Sequence, residues 1–311
     1  MDLGVLISNL IGLFLLIGVG FFVVRAGLIP AQASKPLSTL LMKITLPATI
    51  VCSMLRPFDP AFLKLGLSMI GVGAVVFPLF AALSLGLCRV FRVPEDRRGM
   101  WCCCATFCNN GFMGFPVALA LFGEEGLALT VFLSIPFNLL MYNLGARMVC
   151  MDLPREGSAR SVSWTRAVFT PINLSMAAGL VLYFTQLPLP DALRAPLGYL
   201  SDATTPLSMI VTGMNLSQGR ISEVLRDRDA LTASVTRLLL FPLLAWGVMG
   251  LAPGLNSLVV GAALVNLSMP SPASTALMGE EYGGQTRLAA RTVLLSSLMC
   301  LVTLPLISLL L

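Results

Sequence analysis

Asn110–Glu125 reads NGFMGFPVALALFGEE, and Asn266–Glu281 reads NLSMPSPASTALMGEE. Aligned without a gap, Asn110 pairs with Asn266, Met113 with Met269, Pro116 with Pro272, Ala120-Leu121 with Ala276-Leu277, and Gly123-Glu124-Glu125 with Gly279-Glu280-Glu281. Half of the aligned positions are identical, more than chance similarity between apolar helices produces. Each copy sets helix-breaking Gly and Pro residues inside an apolar run long enough to cross a bilayer. Interrupted spans in corresponding halves of a chain point to a transporter's central binding site.

The rest of the chain fits that setting. It has 311 residues, 57% hydrophobic and 11% charged, with apolar runs of membrane-spanning length, so a polytopic all-α membrane protein is expected. There is no soluble domain and no basic patch with interleaved aromatics, which excludes a nucleic-acid partner. Histidine is absent, and neither HExxH nor GxSxG occurs, so no enzyme, cofactor or metal is expected. No positively charged region precedes Leu3, so a cleaved signal peptide is not expected. Cys102, Cys103, Cys104 and Cys108 crowd one span; close packing of small, soft residues is favoured over a thiolate metal site.

Ten spans are read at 3–24, 36–55, 65–88, 99–122, 126–148, 170–187, 193–215, 230–250, 256–278 and 288–310. With the N-terminus outside, the inner connections collect fifteen of the twenty Lys and Arg residues; the outer ones hold only Arg56, Lys64 and Arg194. That bias puts both termini outside. The repeat extends beyond the opening motif: Phe77-Pro78-Leu79 matches Phe241-Pro242-Leu243, and Pro47 matches Pro206. Five spans per copy make the copies inverted. The first occupies 1–150, a cytoplasmic linker 151–169, and the second 170–311.

The chemistry is expected where spans four and nine break. Gly111, Gly114 and Pro116 interrupt the former; Pro270 and Pro272 the latter. Half-helices starting near Val117 and Ala273 then aim positive N-terminal ends at the bilayer centre, favouring an anion. Asn110, Gly111, Met113, Gly114, Pro116, Asn266, Met269 and Pro272 are the candidate substrate-binding residues there. Asn110 and Asn266 can cap broken backbone, contact substrate, or both. Asn138 and Tyr142 join them through a stripe with Ser134 on span five, whose alternative role is helix–helix hydrogen bonding. Lys43 and Asp202 stand four residues before matched prolines and are candidates for charge recognition or proton coupling. They could equally pair with each other, or Lys43 could snorkel. Arg237 is expected to snorkel to the surface.

NNGFMGFP at Asn109–Pro116, KITLPATI at Lys43–Ile50 and the five-plus-five layout resemble the auxin efflux carrier family, closest to its compact bacterial malonate or malate permeases. The resemblance implies the fold of sodium/proton antiporters and bile-acid symporters. It implies crossed, broken helices four and nine, a scaffold of spans 1, 2, 6 and 7 that is often dimeric, and a mobile transport domain of spans 3–5 and 8–10. A small organic anion is the implied substrate, moved in elevator fashion. A sodium-coupled organic-acid symporter is the nearest alternative, and proton coupling is also compatible. A membrane-embedded receptor is the alternative of another class. The long central loop of the plant members is missing here, so their phosphorylation control does not transfer.

Overall fold

A computed structural model of the chain describes residues 3–151, 153, 169–219, 221–252 and 254–311. The linker expected at 151–169 lies almost wholly outside the described residues. Among the described residues there is no strand. Six helical stretches are long and apolar enough to cross a membrane: Ser8–Arg25, Ala31–Met54, Pro60–Val90, Glu95–Cys150, Arg228–Gly250 and Thr286–Ser308. Pro171–Thr185 and Ser257–Leu267 are shorter apolar helices. Asp191–Ser217 has 27 residues, but its Ser, Thr and Asp side chains lower its hydropathy.

Glu95–Cys150 has 56 residues, and a straight helix of that length would reach about 84 Å, far beyond the ~30 Å hydrocarbon core. The chain instead turns back at Gly123, whose φ of 65° and ψ of −159° break the helix. A Cβ on Gly126 would lie 2.3 Å from Phe122 Cβ and 3.0 Å from the Ala118 carbonyl oxygen. Residues 118 and 126 of a straight helix are about 12 Å apart, so this stretch is a helical hairpin.

Proline leaves a second mark. The wide turns Leu41–Thr45, Asn110–Gly114 and Thr236–Leu240 are π-helical. Each is followed directly by an α-helix with proline in its first turn: Pro47, Pro116 and Pro242. Proline lacks an N–H and its ring collides with the carbonyl one turn back; widening that turn relieves both problems.

The helices pack in two groups. Leu3–Arg25 lies along Asp191–Ser217 with backbone against backbone: a Cβ on Gly20 would stand 2.0 Å from the Ile210 carbonyl, and one on Gly213 1.9 Å from that of Ile17. Leu46–Met54 packs between Pro171–Thr185, where Gly179 meets Met54, and Asp191–Ser217, where Thr49 donates to Thr204 at 2.7 Å. The second group joins Pro60–Val90, the Glu95–Cys150 hairpin and the helices from Arg228 onward. Its interior holds Phe77, Phe107 and Phe137, the Phe80–Phe241 stack with ring centroids 4.3 Å apart, and the free, buried Cys102, Cys103, Cys104 and Cys108. Leu15, Phe22, Leu67, Val75 and Val302 face outward, as a lipid-contacting surface requires.

At one end of this group Arg97, Asp227, Asp229 and Arg291 form a charge cluster. Arg97 reaches Asp229 at 2.9 Å and Asp227 at 3.9 Å, and Arg291 reaches Asp227 at 2.6 Å. Asp227 also caps Arg228–Val235 by accepting from Ala230 N–H.

Candidate functional site

Two helices are broken and meet at their breaks. Arg98–Thr106 ends at Phe107, which is extended with φ −97° and ψ 146°. The chain re-enters a helix at Asn110, after Asn109 has accepted the Phe112 N–H in its side chain. Ser257–Leu267 ends at Ser268, with φ −93° and ψ 1°, and Ser274–Tyr282 follows the irregular link Pro270–Pro272. The second break matches the sequence reading. The first lies earlier than expected: the half-helix starts at Asn110, not near Val117. Gly111 and Gly114 sit inside its first, π-helical turn, and Pro116 occupies a first-turn position that helices tolerate.

The links satisfy each other. Asn109 N–H donates to the Pro270 carbonyl at 2.7 Å, Ser271 Oγ to that of Cys104 at 2.7 Å, and Ser271 N–H to Ser296 Oγ at 3.1 Å. Arg237 completes the joint. It is fully buried, and its guanidinium donates to Ala105 and Thr106 carbonyls at 3.3 and 2.6 Å and to the Leu267 carbonyl. The sequence expectation that Arg237 snorkels is therefore corrected. These carbonyls are the C-terminal ends of both first half-helices, each worth roughly half a negative charge, and together they offset one guanidinium. Phe80 lies beneath, 5.3 Å from the guanidinium carbon.

Asn110 and Asn266 are buried beside the meeting point. Their amide orientations follow from proton bookkeeping. Ser134 Oγ donates its one proton to the Thr130 carbonyl at 2.8 Å, so it accepts from Asn110 Nδ2. Thr130 Oγ1 donates to the Gly126 carbonyl at 2.8 Å, so it accepts from Asn266 Nδ2 at 2.9 Å. Asn266 Nδ2 also meets the Ala262 carbonyl at 2.9 Å. Both Oδ1 atoms are left without a protein partner. A buried orphan of this kind costs about 1–3 kcal/mol. They face Gly114: a Cβ there would lie 2.4 Å from Asn266 Oδ1, 3.1 Å from Asn110 Oδ1 and 3.5 Å from the Asn109 carbonyl. Gly114 has φ −61° and ψ −48°, open to any residue, so glycine serves space here, at a helix-propensity cost of about 1 kcal/mol.

The other candidates scatter around this centre. Met113, Met269, Pro116 and Pro272 are buried at the breaks, while Gly111 is half-buried and Ala273 is exposed at the N-terminal end of Ser274–Tyr282. Asn138 donates to Asn173 Oδ1 at 2.8 Å, a helix–helix bond to Pro171–Thr185. Tyr142 is half-buried in the π turn Met141–Gly145. Lys43 and Asp202 are both exposed, and no ion pair joins them. Sequence reasoning missed Arg237, Thr130 and Ser271 as parts of the joint. Ser134 and Thr130 one turn apart are the signal that could have found Thr130.

Residues 5–308 match the family model described as membrane transport protein. The chain belongs to this family. That is the auxin efflux carrier resemblance of the sequence motifs, now shown across nearly the whole length. This membrane transport protein is similar to an "Uncharacterized transporter" of Methanothermobacter thermautotrophicus, 28% identical over 96% of each chain. It is 26% identical to another from Methanocaldococcus jannaschii over 94% of each. A "Putative malonate transporter" of Rhizobium meliloti is 23% identical over 93% of this chain and 91% of its own.

Proposed function

We propose that this membrane transport protein carries a small organic anion, a mono- or dicarboxylate, across the cell membrane by alternating access. In this reading ten spans form two inverted five-helix repeats, with the Glu95–Cys150 hairpin supplying two of them and both termini outside. Spans 1, 2, 6 and 7 form a scaffold, on which a homodimer is built, and spans 3–5 and 8–10 move against it. The packing of Leu3–Arg25, Leu46–Met54, Pro171–Thr185 and Asp191–Ser217 into one group supports that division.

The charge arrangement at the paired breaks carries the anion assignment. Arg237 offsets the negative ends of the first half-helices. The positive ends of the second half-helices, near Asn110 and Ser274, are then left to attract a negative solute, together worth about one positive charge. Exposed Ala273 and half-buried Gly111 put that region within reach of a ligand. The name of the Rhizobium relative makes malonate the first probe.

Proteoliposomes containing the protein are expected to take up labelled malonate in a saturable way that empty vesicles do not. Uptake no greater than in empty vesicles, for malonate and for a panel of mono- and dicarboxylates under imposed proton and sodium gradients, would refute the carrier reading.

A further inference from the structure

On the exposed face of Leu3–Arg25 lies a groove of about 410 Å³ with a wholly apolar lining. Two glycines shape it. A Cβ on Gly18 would meet nothing within 4 Å, so the missing side chain leaves a notch between Leu15 and Phe22. Gly27, at φ 70°, ends the helix: its N–H donates to the Val24 carbonyl at 3.0 Å, and Leu28 N–H donates to that of Val23 at 3.1 Å. This turn brings Leu28 back toward Val23, and both wall the groove near the helix end. From Leu15 to Ala26 the groove follows the helix for about 16 Å, close to half of a ~30 Å hydrocarbon core. It is one leaflet deep.

Arg25 is the second observation. It follows Gly18 by two turns and Phe22 by one, which puts it on the groove's face. It is exposed, and its guanidinium carbon lies 5.5 Å from the Phe21 ring centroid. Among the described residues no salt bridge reaches it. An apolar slot one leaflet deep thus ends at a cation that lacks a carboxylate partner. A phospholipid has the matching shape and charge: an acyl chain of one leaflet's depth and a negative phosphate at the surface, which a guanidinium binds as a fork. A helix of a second copy would run through both leaflets, but the groove stops near the bilayer centre. We propose that this groove binds an anionic phospholipid, with an acyl chain against Gly18 and the headgroup phosphate on Arg25. The site does not depend on the carrier reading.

The test uses purified, delipidated full-length protein in detergent. Its melting temperature is followed as phosphatidylglycerol or phosphatidylcholine of the same acyl chains is added, and native mass spectrometry counts the lipids retained. A saturable rise with phosphatidylglycerol, and one lipid held per chain, are expected in the wild type. Gly18→Leu fills the notch without touching the rest of the fold. It is expected to melt like the wild type before lipid is added and to lose the lipid-dependent rise. Arg25→Gln is expected to weaken phosphatidylglycerol binding about fivefold and to leave phosphatidylcholine unaffected. Equal responses of the wild type to the two lipids overturn the proposal, as does a full phosphatidylglycerol response in Gly18→Leu. A rise produced by inorganic phosphate alone would make Arg25 a free-anion site and also overturn it. So would a Gly18→Leu protein that retains its lipid but changes from dimer to monomer, because the groove would then belong to a second copy.

Discussion

Arg237 is a buried cation whose counter-charge is made of backbone. Three carbonyls from two helix ends receive it, contributed by residues far from it in sequence. Replacing it with leucine leaves those carbonyls facing an apolar side chain, and each buried acceptor left unpaired costs about 1–3 kcal/mol. Arg237→Leu is therefore expected to lower the melting temperature sharply in detergent. Arg237→Lys should fall between, because one ammonium cannot span both helix ends as a planar fork does. A leucine variant that melts like the wild type would show that the joint holds without the charge. The asparagines at the breaks were legible as special residues because they recur at matched positions. Arg237 was not, because its position inside an apolar run is equally compatible with snorkelling. Only the long-range approach of Thr106 and Leu267 decides the matter.

The broken helices were legible from Gly and Pro, but the first break was displaced. Proline in a first turn is compatible with a helix, so Pro116 marks the resumption of α-helix, while Phe107–Asn109 supply the irregular link. The π turns before Pro47, Pro116 and Pro242 have no compositional signal apart from the proline itself. Asn138–Asn173 bridges the two packing groups, and the proposed alternating-access movement would have to break it. Interhelical hydrogen bonds in membranes are worth about 0.6–1.7 kcal/mol, so Asn173→Ala is expected to change the maximal transport rate by about 3- to 20-fold. The half-saturating substrate concentration should stay near wild type. A change confined to that concentration would assign the pair to substrate binding instead. Arg56 and Glu125 form a second cross-group contact at 3.5 Å, but Glu125 is well exposed, so it is worth less.

Across the whole molecule, the Arg97–Asp227–Asp229–Arg291 cluster ties Arg98–Thr106, Arg228–Val235 and Thr286–Ser308 together at one end. Burial alone would raise the Asp227 pKa. The Arg291 hydrogen bond, the Ala230 N–H and the charges of Arg291 and Arg97 outweigh it and hold the carboxyl below its usual value. A depressed folded-state pKa stabilises the protein above the ordinary aspartate range, near 4, and that contribution disappears as pH falls through the depressed value. Melting measured against pH should thus show the wild type losing an advantage over Asp227→Asn below about pH 4. A constant difference down to pH 2 would remove Asp227 from the acid response. Charge bias identified the connections in which these residues lie, but their pairing depends on which helices become neighbours. That choice is set by contacts such as Trp101 Nε1, which donates to Thr232 Oγ1 at 3.0 Å between Arg98–Thr106 and Arg228–Val235.

Arg237 also imposes an order on synthesis. The carbonyls of Ala105 and Thr106 already exist when it leaves the ribosome, whereas Leu267 is still thirty residues away. A nascent chain caught in that interval holds a charge in an apolar segment with part of its acceptor set missing; insertion scales set the unpaired penalty at about 2.5–3.5 kcal/mol. Docking Arg228–Gly250 onto the first broken helix supplies two of the three carbonyls that receive the guanidinium and so lowers that penalty before Leu267 arrives.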